Sequence, residues 1–75
     1  MEILDQGSLR EKLGERIRSL REGKGMSIRQ FALLANIEHP QLINIEKGRV
    51  DLKLSTLNKI SKGLEINLGK LLDVD

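Results

Sequence analysis

The stretch that most constrains this chain runs from residue 28 to residue 47 and reads IRQFALLANIEHPQLINIEK. Ser27 and Gln30 stand three residues apart at its start, which is the capping-box pattern of a helix N-terminus. Asn36 follows, a residue that tolerates the left-handed conformation needed to end a helix and turn sharply. The segment between them predicts a short helix, because its apolar residues recur at helical spacing: Phe31, Ala32, Leu34 and Ala35.

A second short helix is predicted directly after this turn. His39 and Pro40 open it, because a proline in the first turn loses no helical hydrogen bond, and Gly48 ends it. The small Ala32 and Ala35 let the two helices cross closely. The side chains expected to fill the angle between them are Phe31, Ile37, Leu42 and Ile45. This pattern predicts a helix-turn-helix, in which two helices meet at a steep angle, rather than an ordinary helical hairpin.

Three further helices are predicted on either side of this pair. The first runs from Leu9 to about Lys24, with Ser8 as its N-cap and Glu11 as the capping-box partner. Its apolar stripe consists of Leu9, Leu13, Ile17 and Leu20. A fourth helix, with Gly63 near its exit, carries Leu54, Leu57, Ile60 and Leu64. Asn67 is the expected N-cap of a short last helix with Leu68, Leu71 and Leu72. The chain is therefore predicted to be all-α.

The composition bounds the class of protein. Residues 1–8 are expected to be a flexible stub and residues 9–75 one small domain. One histidine and no cysteine make a zinc site improbable, and we expect no metal and no cofactor. The absence of a long apolar run or a signal peptide predicts a soluble, cytoplasmic chain with no membrane partner. The net charge of +2 suits a polyanion, and one Phe without Trp or Tyr favours duplex DNA over single strands.

The motif and its flanks together resemble the Cro/repressor-type (XRE) helix-turn-helix family of DNA-binding transcriptional regulators. The resemblance covers residues 9 to 72, and its most specific pieces are LGERIRSLRE, the position of Ala32, IEKG and the GLEIN…LL ending. It implies a compact five-helix, lambda-repressor-like domain with the helix-turn-helix at helices 2 and 3. It also implies a structural salt bridge between Arg21 and Glu46; the alternative is two independent surface charges. The function implied is sequence-specific binding of double-stranded DNA by a repressor-like regulator.

The second motif helix of such a domain lies in the major groove, so its outward face decides which bases it can read. At about 100° per residue, with Leu42 and Ile45 inward, this face is polar with two apolar positions. Gln and Asn can bond adenine edges, and apolar side chains can contact thymine methyl groups. The candidate base-reading residues are Gln41 and Asn44 first, then His39, with Pro40 and Ile43 as apolar contacts. The alternative is an ordinary polar surface helix.

Phosphate contacts are expected from residues at the edges of the motif. These contacts orient the protein and add salt-dependent affinity without carrying sequence information. Free N–H groups at the start of the first motif helix could also hold a phosphate. The candidate phosphate-binding residues are Ser27, Arg29, Lys47, Arg49 and Lys53.

The sequence departs from the family pattern at three positions. Ile28 stands where many members place a phosphate-binding Gln, and Asn36 replaces the usual turn Gly. Glu38 lies beside the DNA face and would repel phosphate unless it caps the helix. A protein-facing apolar patch could be formed by Ile28, Ile43 and either Ile3 or Leu4. The alternative function is therefore a protein-binding adaptor or antitoxin-like partner.

Two further expectations concern activity and assembly. A single histidine without a nucleophile or a phosphate-binding Gly loop argues against an enzyme. Family members commonly bind paired half-sites as dimers, so a homodimer is expected. Its natural surfaces are the loop after Gly48 and the last helix with Leu68, Leu71 and Leu72.

Overall fold

The computed structural model describes residues 6–74, which form five helices and no strand within that range. The helices are α1 (Gln6–Gly23), α2 (Ile28–Ala35), α3 (His39–Glu46), α4 (Leu54–Leu64) and α5 (Leu68–Leu71). The predicted five-helix, all-α architecture is therefore confirmed. None of the helices in this part of the chain is both long and apolar enough to cross a bilayer.

The start of α1 differs from the prediction. The helix begins at Gln6, so Ser8 lies inside it and the prediction that Ser8 is its N-cap is wrong. The Ser8–Glu11 spacing fits a capping box, but the same residues are compatible with a helix that continues through them. Ile3 and Leu4, together with the rest of residues 1–5, lie outside the described residues.

The corner between α2 and α3 is built from local hydrogen bonds. The Ser27 hydroxyl accepts from the Gln30 N–H at 3.0 Å, and Gln30 Oε1 accepts from the Ser27 N–H at 2.8 Å, which completes the predicted capping box. Asn36 ends α2 in the left-handed conformation, with φ 57° and ψ 49°. The Ile37 N–H then donates to the carbonyl of Ala32 at 2.9 Å, and the Ile37 side chain is buried in the corner. The sharp turn predicted at Asn36 is confirmed.

The core lies where all five helices meet. Its fully buried side chains are Ile17, Phe31, Leu42, Ile45, Ile60, Leu64 and Leu71. Four leucines assigned to apolar helix positions lie outside this core: Leu9 is 44% exposed, Leu34 61%, Leu54 69% and Leu72 42%. Helical spacing alone does not show which side chains a neighbouring helix covers.

The first helix holds the end of α3 at close range. An added Cβ at Gly14 would lie 2.6 Å from the carbonyl oxygens of both Ile45 and Glu46, so only glycine permits this approach. At the other end of the same contact, Gly48 has φ +70°, and a Cβ there would lie 2.7 Å from Cα of Glu11. The position of α3 is therefore set by backbone contact as well as by its buried side chains.

Candidate nucleic-acid interface

The residues of α3 lie on two faces: an anchored face, which packs against the other helices, and an open face, which is accessible. Leu42, Ile45 and Glu46 are buried against the other helices. The predicted base-reading residues stay accessible: Pro40 and Gln41 are exposed, and His39, Ile43 and Asn44 are half-buried. All five predicted base-reading residues therefore share one accessible surface of α3.

A buried ion pair fixes the anchored face. Arg21 Nε donates to Glu46 Oε2 at 2.7 Å and Arg21 Nη2 donates to Glu46 Oε1 at 3.0 Å, a bidentate arrangement. Arg21 Nη1 also donates to the carbonyl of Met26 at 2.8 Å. The hydrogen bonds to Glu46 raise the pKa of the Arg21 guanidinium above its ordinary value, so Arg21 stays charged. The salt bridge that the family resemblance implied thus connects α1, the α1–α2 turn and α3.

The end of α3 also positions one of its polar side chains. The Arg49 N–H donates to the carbonyl of Asn44 at 3.0 Å, which brings the Arg49 side chain back over the helix. Arg49 Nη1 then donates to Oδ1 of Asn44 at 3.4 Å. Because an amide oxygen has two lone pairs, this contact leaves the Asn44 NH₂ group and one lone pair for another partner.

The predicted phosphate-binding side chains belong to the start of α2, the end of α3 with the residues after it, and the start of α4. Ser27, Arg29, Lys47, Arg49 and Lys53 are all exposed. The Ser27 oxygen is used by the Gln30 N–H, but its hydroxyl hydrogen can still be donated. The Ser27 N–H is taken by Gln30 Oε1, so the first N–H groups that α2 could offer to an anion belong to Ile28 and Arg29.

Two basic residues that the sequence analysis did not assign to the interface flank the open face. Arg18 lines a shallow depression together with Ile28, Ile43 and Lys47. On the opposite side of α3, Lys59 lines a second depression that contains His39 and Gln41. Arg18 and Lys59 come from α1 and α4, so no local motif marks them; only the tertiary fold brings them beside α3.

The acidic residue beside the open face has no capping role. Glu38 is the N-cap residue of α3, but its side chain makes no hydrogen bond to the helix N-terminus. Its carboxylate is exposed next to His39. Glu38 therefore does not cap the helix, and its exposed carboxylate would repel a phosphate that approaches this end of α3.

Comparison with protein families matches residues 14–74 to a helix-turn-helix domain. The chain belongs to the Cro/repressor-type helix-turn-helix family. An HTH-type transcriptional regulator of this family, DdrOP3 from Deinococcus deserti, is 36% identical over 62 residues, which are 83% of this chain and 48% of the relative. The chain thus spans about half the length of this curated relative.

Solved structures of several regulatory proteins superpose over most of the chain. The restriction-modification controller protein C.AhdI from Aeromonas hydrophila has a TM-score of 0.81 and 30% identity, covering 85% of this chain and 96% of that one. The clp gene regulator ClgR from Corynebacterium glutamicum has a TM-score of 0.81 and 29% identity, with coverage of 96% and 87%. An HTH_3 family transcriptional regulator from Vibrio cholerae has a TM-score of 0.86 and 25% identity, with coverage of 95% and 40%.

Proposed function

We propose that this chain is the DNA-binding part of a repressor-like transcriptional regulator that places α3 in the major groove of specific double-stranded DNA. The observation that carries the proposal is the division of α3: Leu42, Ile45 and Glu46 are buried, while the opposite side is open. A helix held in this way can enter a groove without unpacking the domain. Membership of a family of transcriptional regulators supports the same function.

Base recognition is assigned to the side chains of the open face. Gln41 and Asn44 supply amide groups for base edges, and His39 supplies a ring nitrogen. Pro40 and Ile43 supply apolar contacts beside them. The contact from Arg49 to Asn44 restricts the orientation of the amide before DNA is bound.

Phosphate binding is assigned to exposed groups on both flanks of α3. Since these contacts are electrostatic, they should strengthen binding to every sequence and weaken as salt is added. Arg18 and Lys59 extend the set toward α1 and α4. With the residues predicted from sequence, the proposed set is Arg18, Ser27, Arg29, Lys47, Arg49, Lys53 and Lys59.

We further propose that the regulator acts as a homodimer through an apolar groove. Leu9 of α1, Val50 and Leu52 of the α3–α4 loop, and Leu72 and Val74 after α5 line this groove. The expected surfaces were the loop after Gly48 and the last helix; of the three leucines expected there, only Leu72 lines the groove, and Leu71 is fully buried. Because the α3–α4 loop directly follows α3, a partner seated in the groove would bring two α3 helices to neighbouring half-sites.

The remaining functional assignments follow from DNA binding. We propose no catalytic activity, because no nucleophile–base pair accompanies His39 in the interface. A regulator of this kind acts where the genome is, which we take to be the cytoplasm. The relatives compared above are regulators and a controller protein, which favours DNA over a protein as the principal ligand of α3.

The proposal is tested by selecting bound duplexes from random DNA at a stated salt concentration and measuring affinity by fluorescence anisotropy. Asn44→Ala should lose about 1–3 kcal/mol on the selected duplex and little on a scrambled one, because a base contact serves only the correct sequence. Lys53→Ala should weaken both duplexes alike and reduce the salt slope by about 1. Asn58→Ala, a change at an exposed asparagine of α4, is the matched control. Equal affinity of the unmodified protein for both duplexes would refute specific recognition.

A further inference from the structure

None of the side chains of α3 is a Lys or an Arg; Arg49 follows the helix and bonds back to the oxygen of Asn44. The helix reads HPQLINIE, and the next cation is Lys47, its C-cap residue. The side chains on the open face are therefore two amides, one imidazole and two apolar groups. This inventory limits which base pairs the helix can distinguish.

Guanine is the base that these side chains are least suited to recognise. Its major-groove edge presents two acceptors, O6 and N7, which Arg and Lys bind most often. Adenine presents one acceptor and one donor, which matches the amides of Gln41 and Asn44. Arg49 bonds to the Asn44 oxygen, and the Asn44 NH₂ group and one oxygen lone pair remain available, which are the donor and the acceptor that adenine pairs with.

Thymine can be contacted by the apolar side chains. Ile43 is half-buried and lines one depression with Ile28 of α2. Two isoleucines side by side form an apolar surface at the edge of the open face, next to the basic Arg18 and Lys47. In the major groove, the apolar group that such a surface can cover is the 5-methyl group of thymine.

The N-terminal end of α3 is where a G·C pair could be accepted, in the orientation that presents cytosine to Glu38. The exposed Glu38 carboxylate makes no capping bond and can only accept hydrogen bonds. It is therefore compatible with the amino group of adenine or cytosine and is repelled by the acceptors of guanine. A guanine there can receive only single hydrogen bonds, from the His39 ring or from an amide NH₂ group, and not the bidentate pair that Arg supplies.

We infer that the half-site read by α3 consists mainly of A·T pairs and that thymine methyl groups contribute directly to affinity. The inference rests on the proposed function and specifies its ligand. Guanine should be absent from the positions that Gln41, Ile43 and Asn44 contact, and at most one G·C pair should lie near His39.

The first arm of the test uses the duplex obtained by selection and the unmodified protein, so its result does not depend on a variant folding correctly. Each thymine of the half-site is replaced in turn by deoxyuridine, which removes the methyl group and leaves base pairing intact. Loss of a buried methyl group should reduce affinity about three- to fivefold at the position that Ile43 contacts. Deoxyuridine placed outside the half-sites is the control and should have no effect. The Ile43→Ala variant should bind the thymine duplex and the duplex with deoxyuridine at this position with equal affinity.

The outcomes separate this inference from the function on which it rests. The inference is supported if the half-site is A·T-rich, if removing one thymine methyl group lowers affinity, and if this loss disappears in the Ile43→Ala variant. A selected half-site with guanine at its central contacts, or one that tolerates deoxyuridine everywhere, overturns the inference and leaves specific DNA binding intact. Failure to enrich any sequence refutes the proposed function itself.

Discussion

At the scale of single residues, Arg21 fixes α3 in place although it is not one of the proposed DNA-contacting residues. Its guanidinium bonds to Glu46 of α3 and to the carbonyl of Met26, and only about a tenth of the side chain is exposed. Removing either partner would leave a charge stranded in a poorly solvated site. The ion pair therefore couples the orientation of α3 to the end of α1.

We expect Arg21→Ala to lower the free energy of unfolding by about 3–5 kcal/mol, because Glu46 would keep its charge without a partner. Urea denaturation monitored by circular dichroism measures the change. Arg18→Ala is the control on the same helix: the exposed Arg18–Glu22 pair, at 3.3 Å, should contribute at most about 1 kcal/mol. Similar losses in the two variants would contradict a special role for Arg21.

Gly14 is a second residue whose role is purely steric. We expect Gly14→Ala to cost about 1–3 kcal/mol of stability, because its Cβ would collide with two backbone carbonyls at the end of α3. Gly23→Ala is the matched control, since nothing lies within 4 Å of a Cβ there. Thermal unfolding of both variants is the measurement, and an unchanged melting temperature for Gly14→Ala would show that the α1–α3 contact can relax.

These residues also mark the limit of what the sequence predicts. The Ser27 cap and the Asn36 turn were predictable because their partners lie within a few residues. The Arg21–Glu46 pair was predictable through family resemblance. Gly14 was not, because its neighbours are about thirty residues away and nothing local distinguishes it from Gly23. Arg18 and Lys59 were not assigned to the interface for the same reason.

At the scale of helices, two of the five end at a left-handed residue other than glycine. Asn36 ends α2 and Glu65, with φ 59° and ψ 39°, ends α4. Asn36 is a residue type that adopts this conformation readily, whereas Glu pays a steric cost. Gly63, which the sequence placed near the exit of α4, lies inside the helix, where a Cβ would meet the Phe31 ring at 2.7 Å.

We therefore expect Glu65→Gly to stabilise the protein by up to about 1 kcal/mol, because glycine removes the left-handed strain at the end of α4. Glu65→Gln is the control: it keeps the strain and removes the charge that contacts Lys24 at 3.2 Å, an exposed pair of little energetic weight. Chemical denaturation compares the three proteins. A less stable Glu65→Gly variant would mean that the Lys24 contact outweighs the backbone strain.

At the scale of the whole molecule, the uncovered apolar side chains are not equivalent. Leu33 and Leu34 of α2 and Leu54 of α4 are more than half exposed and do not line the apolar groove. Leu9 and Leu72 are 44% and 42% exposed and lie together in it. Sequence periodicity assigned leucines to helix faces but could not rank them, because which face is covered depends on how five short helices pack.

The groove gives a prediction about assembly. If the proposed dimer forms through this groove, Leu72→Glu should shift the protein toward monomer, because a carboxylate would be desolvated in an apolar contact. Leu34→Glu, a change at a more exposed leucine outside the groove, should leave the dimer fraction unchanged. Sedimentation equilibrium over a range of protein concentrations measures both. If both variants dimerise like the unmodified protein, the groove is not the interface.

The separation of anchored and open residues on α3 has a consequence for engineering new specificities. The backbone contact at Gly14 and the side chains of Leu42, Ile45 and Glu46 would all survive exchange of the residues on the other side of the helix. A library that varies positions 40, 41, 43 and 44 should therefore yield mostly folded proteins. Such a library could be sorted directly for altered base preference, with no prior redesign of the scaffold.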